Sequence, residues 1–216
     1  MEPYDSPDLI DKLTGLKNFG CFVREFETMA AHAVEQCADL SLAMVDIDHF
    51  LKVNELYGRG VGDEVIRTVA EHLRSGLPQS AQVYRYSGDE FAVLMPETEK
   101  ERAFLLMERL RESFAVERHV CNCTLTVELS AGIACCPEDG NRPTEVLRRA
   151  ESALYRAKAG GGSRIALSRE EKLVTKTSHY AYEQLQRLSV LAKKEGMGEA
   201  VLLREALDDL LKKYDD

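Results

Sequence analysis

The 216-residue sequence contains no tryptophan, and aromatic residues make up only 7% of it. Its core must therefore be largely aliphatic, supplemented by seven phenylalanines and eight tyrosines. No apolar run approaches the roughly 20 residues that cross a bilayer, and the first residues, MEPYDSPDLID, are acidic rather than signal-like. Positive charge is scarce as well. Lysine and arginine number 28 against 37 acidic residues, a formal net charge of −9. This excludes a cationic nucleic-acid clamp over the whole body, though not a small basic patch. The six cysteines never stand in C-x-x-C spacing. Cys21 and Cys37 are isolated, Cys121/Cys123 are C-x-C, Cys135/Cys136 are adjacent, and no histidine pair completes a zinc site. Together these absences predict a soluble, cytoplasmic protein with reduced thiols and no membrane attachment.

What is present is an interleaved series of strand-like and helix-like segments. Residues 18–37 have a helical stripe of Phe22, Phe26, Met29, Ala30 and Ala33. The apolar run from Leu40 to Asp46 reads as a buried strand closing on carboxylates. Val61, Val65, Ile66, Val69 and Leu73 mark a helix over 60–73, stopped by Gly76-Leu77-Pro78. QVYRY and FAVLM flank the turn Ser87-Gly88-Asp89-Glu90 as a hairpin. A helix over 97–114, a strand TLTVELSAGIACC, a helix over 143–159 ended by three glycines, and a strand RIAL complete the series. The pattern predicts an α/β or α+β sandwich with a sheet backed by helices. A shift in composition near Ser168 predicts two domains, 1–168 and 169–216.

The chemistry concentrates at strand ends. Asp46 and Asp48 follow one strand, and Asp89 and Glu90 sit in a tight turn beside glycine. Hard carboxylate oxygens at such places suit magnesium, which shares its ligands with phosphates. Asn54 and Asp63 lie a short loop downstream, and an amide with a carboxylate can read the donors and acceptor of a guanine edge.

Four blocks in order, DKLTGLKN at 11–18, DIDHFLKVNELYGRGVGDEV at 46–65, RYSGDEF at 85–91, and LSAGIACCPEDG with AESALYRAK at 129–158, make residues 8–168 resemble the GGDEF family of diguanylate cyclases. The resemblance implies a nucleotidyl-cyclase-like α/β fold. It also implies condensation of two GTP into cyclic di-GMP with release of two pyrophosphates, in a homodimer whose two sites face one another. Asp46, the Ile47 carbonyl and Asp89 would hold two Mg2+ per site, with Mn2+ as an alternative. Asp89 would deprotonate the ribose 3′-hydroxyl, and Glu90 would support the metal site. Asn54 and Asp63 would bind guanine, the amides around His49 and Phe50 the terminal phosphates, and Lys158 a phosphate as well. Asp11 would pair with Arg85 and brace the N-terminal turn against the active hairpin.

Several positions depart from the family pattern. Ser87 replaces the first glycine of the signature, which costs backbone freedom if that residue has positive φ. Leu51 stands where the family has a lysine, with Lys52 one residue along. Arg59 and Glu55 replace a histidine and an aspartate. The K-x-x-x-R spacing is stretched by glycines to Lys158 and Arg164, which makes Arg164 a displaced phosphate ligand. Pro78-Gln79-Ser80-Ala81 replaces the R-x-x-D product-inhibition motif, so no inhibitory product site is expected there.

The tail from Arg169 resembles a ribbon-helix-helix segment, with a short strand TKTSHYAY, L-x-x-L-A-x-x-x-G at 188–196 and L-L-R-E-A-L at 202–207. By that resemblance Thr175, Thr177 and His179 would face DNA bases in a paired ribbon, and amides near Gly198 would meet a phosphate. Nine basic against ten acidic residues leave the tail near neutral, which is a poor attraction for phosphate. The alternative is a dimerising helical hairpin with Leu185, Leu188, Leu191, Leu202, Leu203, Leu207 and Leu210 as its core. Two functions stay open: an active cyclase, or a weakened module that binds GTP or cyclic di-GMP and regulates a DNA-binding tail. Leu51 and Ser87 favour the second, while the intact carboxylates favour the first.

Overall fold

A computed structural model of the chain describes residues 9–115, 117–120, 123–168, 178, 180–195 and 199–214. The chain divides into two compact units, Met1–Glu170 and Glu171–Asp216. In the first unit the order is α1 (Phe19–Gln36), β1 (Leu40–Ile47), α2 (Phe50–Tyr57), α3 (Arg59–Gly76), β2 (Gln82–Ser87), β3 (Glu90–Pro96), α4 (Lys100–Phe114), β4 (Glu117–Val120), β5 (Cys123–Thr126), β6 (Leu129–Cys136), α5 (Pro143–Ala159) and β7 (Ile165–Leu167). Five strands form one sheet in the order β2-β3-β1-β6-β7. Only the β6–β7 pair is parallel. Strands β4 and β5 form a separate antiparallel hairpin.

The two central strands are buried along their whole lengths, which is why they read as continuous apolar runs rather than alternating ones. Alternation still decides which layer each side chain joins. Leu40, Leu42 and Met44 pack with Phe22, Phe26, Val146 and Leu154 from α1 and α5. Ala43, Val45 and Ile47 pack with Val65, Val69, Met107 and Leu110 from α3 and α4. This two-sided sandwich is the predicted fold class. Helix α1 starts where Asn18 caps it by accepting a hydrogen bond from the Cys21 amide at 3.2 Å, a common N-cap device. Helix α5 lies directly on β6 at Gly132, where an added Cβ would stand 2.1 Å from both the Ala150 carbonyl oxygen and the Leu154 amide nitrogen. Buried Asp139 accepts hydrogen bonds from the Cys135 amide (2.8 Å), the Ser168 hydroxyl and Lys100 (3.1 and 3.2 Å). It thereby ties the end of β6 to α4 and to the residue after β7.

Three segments differ from the sequence expectation. Helix α2 occupies what reads as a loop, because eight residues carry too short a periodicity to stand out. TLTVELSAGIACC is two strands, β5 and β6, broken at Val127-Glu128, where the Glu128 carbonyl accepts the Asp48 amide at 2.9 Å. Helix α4 begins at Lys100 rather than Glu97, since Glu97 has φ +50°.

The second unit contains α6 (Tyr182–Glu195) and α7 (Glu199–Tyr214). Ala192 and Leu202 are buried, whereas Leu185, Leu191, Leu207 and Leu210 of the expected core are 41–53% exposed in the single chain. Thr175, Thr177 and His179 lie outside the described residues. No described helix is long and apolar enough to cross a membrane.

Candidate active site

The register of the sheet assembles the carboxylates. Asp46, next to last in β1, is the Cα partner of Glu90 on β3 and of Ser130 on β6. Its even-numbered neighbours on β1 face α1 and α5, so Asp46 emerges beneath the C-terminal end of α5. Asp89 sits in the β2–β3 turn after Gly88, whose φ of +41° suits glycine. The Asp89 carbonyl accepts the Ile47 amide at 3.3 Å, which fixes the turn against the end of β1. Asp46 is 4% exposed. Its Oδ2 lies 2.6 Å from Lys158 Nζ at the end of α5, while its Oδ1 is buried without a hydrogen-bond partner. Burial pushes the Asp46 carboxyl up to about 6; Lys158 works against that rise, and Asp89 and Glu90 add to it. Like charges gathered in one place raise a carboxyl pKa unless a cation joins them.

Asp48 has a different task. Both of its oxygens accept the Ser130 hydroxyl at 2.9 Å, and Oδ2 accepts the Ser163 amide at 2.7 Å. Gly162 leaves room for this carboxylate, which an added Cβ would approach to 3.1 Å. Asp48 therefore pins the glycine-rich loop after α5 to the sheet and does not act as a free twin of Asp46. Arg164, on the same loop, folds back: its Nε donates to the Gly162 carbonyl at 3.4 Å, and its guanidinium lies over Gly160.

On the other side of β1, the chain turns through His49 in the left-handed region (φ +56°) and starts α2 at Phe50. The first amides of a helix have no intrahelical acceptor, so this end of α2 presents donors. Gly58 (φ +84°) separates α2 from α3. Asn54 on α2 packs against Gly62 of α3, the residue before Asp63; an added Cβ on Gly62 would fall 2.0 Å from Asn54 Oδ1. On α2, Leu51 is 70% exposed, whereas Lys52 lines a cleft of about 340 Å³ with Asp48, His49, Tyr57, Thr126 and Glu128.

The donor set suits a hard divalent ion. Among the described residues no three His, Cys, Asp or Glu side chains gather into a closed metal cage. Magnesium seldom uses such a cage; it takes one or two carboxylates and completes its shell with water and phosphate oxygens. The buried, unpartnered Asp46 Oδ1 is the oxygen such an ion would take.

The family model for the diguanylate cyclase GGDEF domain matches residues 8–164. The chain belongs to the GGDEF family. A ribbon-helix-helix domain model matches residues 177–215. The chain is similar to diguanylate cyclase DgcP of Pseudomonas aeruginosa, at 39% identity over 162 residues, covering 74% of this chain and 24% of that protein. It is similar also to cyclic di-GMP phosphodiesterase NbdA of the same organism, at 32% identity over 174 residues, covering 81% and 22%. It thus spans about a quarter of the length of these curated relatives. The crystal structure of the GGDEF domain of DgcB from Caulobacter crescentus in complex with c-di-GMP has the same fold, with a TM-score of 0.70 at 30% identity, covering 76% of this chain and 97% of that one.

Against the GGDEF pattern, Ser87 costs no backbone strain, since it is not among the residues with positive φ. Its hydroxyl donates to Glu90 Oε2 at 3.0 Å. The expected Asp11–Arg85 pair is not formed. Asp11 Oδ2 is taken by the Thr14 amide (2.8 Å) and hydroxyl (2.6 Å). Arg85 lies over the Phe91 ring, 5.0 Å from its centroid, and its Nη1 is buried without a hydrogen-bond partner. Burial lowers the Arg85 pKa, and Asp11, Asp89 and Asp63 act on it only through space. Ser130 and Ser163 were not distinguishable in the sequence, because nothing in a serine's local pattern says that a buried carboxylate will need it.

Proposed function

We propose that this GGDEF protein is a diguanylate cyclase that joins two GTP into cyclic di-GMP and two pyrophosphates. The observation that carries the reading is the buried, unpartnered Asp46 oxygen set in register with Glu90 and beside Asp89. Asp46, the Ile47 carbonyl and Asp89 would hold two Mg2+, or Mn2+, and Glu90, steadied by Ser87, would support them. Such cations, when bound, would lower the pKa of the 3′-hydroxyl and neutralise charge on the α-phosphate and departing pyrophosphate. Asp89 takes the 3′ proton. Asn54 and Asp63 hold guanine, the amides of His49 and Phe50 bind the terminal phosphates, and Lys158 and Arg164 add positive charge from the loop after α5. One GTP per subunit requires two copies face to face. The exposed leucines of α6 and α7 support a pairing role for residues 169–216, a domain proposed to begin after Ser168. The ribbon-helix-helix match supports DNA as that segment's partner, through Thr175, Thr177 and His179, in a cytoplasmic regulator.

Purified protein incubated with GTP and Mg2+ should yield cyclic di-GMP by chromatography, with two pyrophosphates per product. A second reading is favoured by the exposed Leu51, which leaves no lysine at the family position. It makes the chain a weakened module that binds GTP or cyclic di-GMP and regulates its tail. Silence of both wild type and Asp89→Asn, with nucleotide still bound, would select it.

A further inference from the structure

Lys158 stands at the last turn of α5, above the strand row of Glu90, Asp46 and Ser130. Its ammonium lies 2.6 Å from Asp46 Oδ2, yet the two partners differ sharply in environment: the lysine side chain is 43% exposed and the aspartate 6%. The backbone at this point is fixed, because the Gly160 amide donates to the Arg156 carbonyl and the Gly161 amide to the Lys158 carbonyl, both at 3.0 Å. The mobile part is the four-carbon stem, whose head already reaches water. Asp46 thus has one oxygen capped by a half-exposed ammonium and one oxygen with no hydrogen-bond partner. A buried carboxylate needs a counter-charge, and this one is attached to a tether that can leave.

We infer that Lys158 is a displaceable internal counter-ion of Asp46: its ammonium and a divalent cation are alternative partners of the same carboxylate. While Lys158 is in place, Asp46 is neutralised and cation binding is weakened. When a cation takes the carboxylate, the ammonium is released into the solvent-facing site, where an anionic group can receive it. The nature of that anion, a triphosphate, rests on the cyclase reading; the competition for Asp46 does not. The arrangement couples the two ligands, because each removes a cost that the other would otherwise meet.

The test is Mn2+ binding without nucleotide, read by electron paramagnetic resonance of the free ion. It compares the full-length wild type with Lys158→Met, Lys158→Arg and Asp46→Asn. Lys158→Met should bind Mn2+ about five- to tenfold more tightly, the effect of removing one half-exposed charge-assisted contact. Lys158→Arg should stay near wild type, and Asp46→Asn should lose the site in either background. Equal or weaker Mn2+ binding by Lys158→Met, or Lys158→Arg binding as tightly as Lys158→Met, overturns the inference. Melting without metal guards against a folding artefact. Lys158→Met should melt below wild type and regain more than wild type does at saturating Mn2+; an equal deficit with and without Mn2+ overturns the inference too. Failure of the cyclase reading shows separately, as no cyclic di-GMP formed from GTP by wild type with Mg2+ or Mn2+, and leaves the order of Mn2+ affinities unchanged.

Discussion

Replacing Gly62 by alanine should weaken nucleotide binding while leaving the fold standing. The new Cβ would sit 2.0 Å from Asn54 Oδ1, 3.0 Å from its Cγ and 3.2 Å from Phe50 Cζ. All three are side-chain atoms, so the collision is relieved by turning Asn54 away rather than by moving backbone. Gly62 lies inside α3 without positive φ, and alanine there gains about 0.5–1 kcal/mol of helix propensity. That gain offsets much of the steric cost, so stability should stay within about 1 kcal/mol of wild type, or roughly 4 °C in melting temperature. The functional loss is larger. An Asn54 that no longer faces guanine forfeits its contacts and leaves polar edges unpaired, about 2–3 kcal/mol in all, or about 30- to 150-fold in GTP affinity. Calorimetric titration with a non-hydrolysable GTP analogue and thermal unfolding measure the two effects on one preparation. Asn54→Ala should reproduce the loss, and adding Gly62→Ala to it should change little, since both act through one side chain. Unchanged affinity in a folded Gly62→Ala protein would refute the assignment of Asn54 to the base.

The same substitution at Gly132 should behave in the opposite way. There the Cβ meets backbone of α5 at 2.1 Å, so the helix itself must retreat by about an ångström. This costs about 3 kcal/mol or more, seen as a melting temperature lower by about 6–12 °C; an unchanged melt would contradict the close helix–strand approach. A pH-dependent contribution is expected from Glu25, which accepts hydrogen bonds from Lys17 at 2.7 Å and Tyr84 at 2.5 Å. Burial alone would raise its pKa, but Lys17 and Tyr84 outweigh burial and hold it below its ordinary 4.5. A depressed carboxyl stabilises the fold above its unfolded pKa and loses that contribution as pH falls through the folded value. The stability gap between wild type and Glu25→Gln, from urea denaturation, should therefore be present at neutral pH and close below about pH 4. A gap that widens on acidification would contradict the sign.

Much of the fold was legible because its signals are local. The capped stripe from Phe22 to Ala33, the hairpin around Ser87-Gly88-Asp89-Glu90, and the helix that begins at Pro143 each carry their boundaries in their own residues. Helix α2 was not, because it is short and leans on α3 through Phe50 and Val53 rather than on its own periodicity. The split of β5 from β6 was hidden for a related reason: the Glu128 carbonyl at the break accepts the amide of Asp48, which lies 80 residues earlier. The site shows the same division. Residue types and spacing pointed to Asp46, Asp89 and Glu90, whereas pairing across the fold determined what each one touches. Asp48 is held by Ser130 and Ser163, Lys158 is held by Asp46, and Asp11 is occupied by Thr14 instead of Arg85. The contacts of Asp48 and Lys158 are long-range and leave no trace in spacing, whereas Thr14 takes Asp11 through a local turn three residues long.

The central claim is that the strand-end carboxylates support cation-dependent condensation of GTP. Its most direct test is cyclic di-GMP formed by wild type and Asp46→Asn across a magnesium titration, with GTP binding measured in parallel. Wild type should make product to a saturable maximum, and Asp46→Asn should make none at any magnesium concentration while still binding GTP. Product from Asp46→Asn, or GTP bound by wild type without product at any magnesium concentration, would contradict the account.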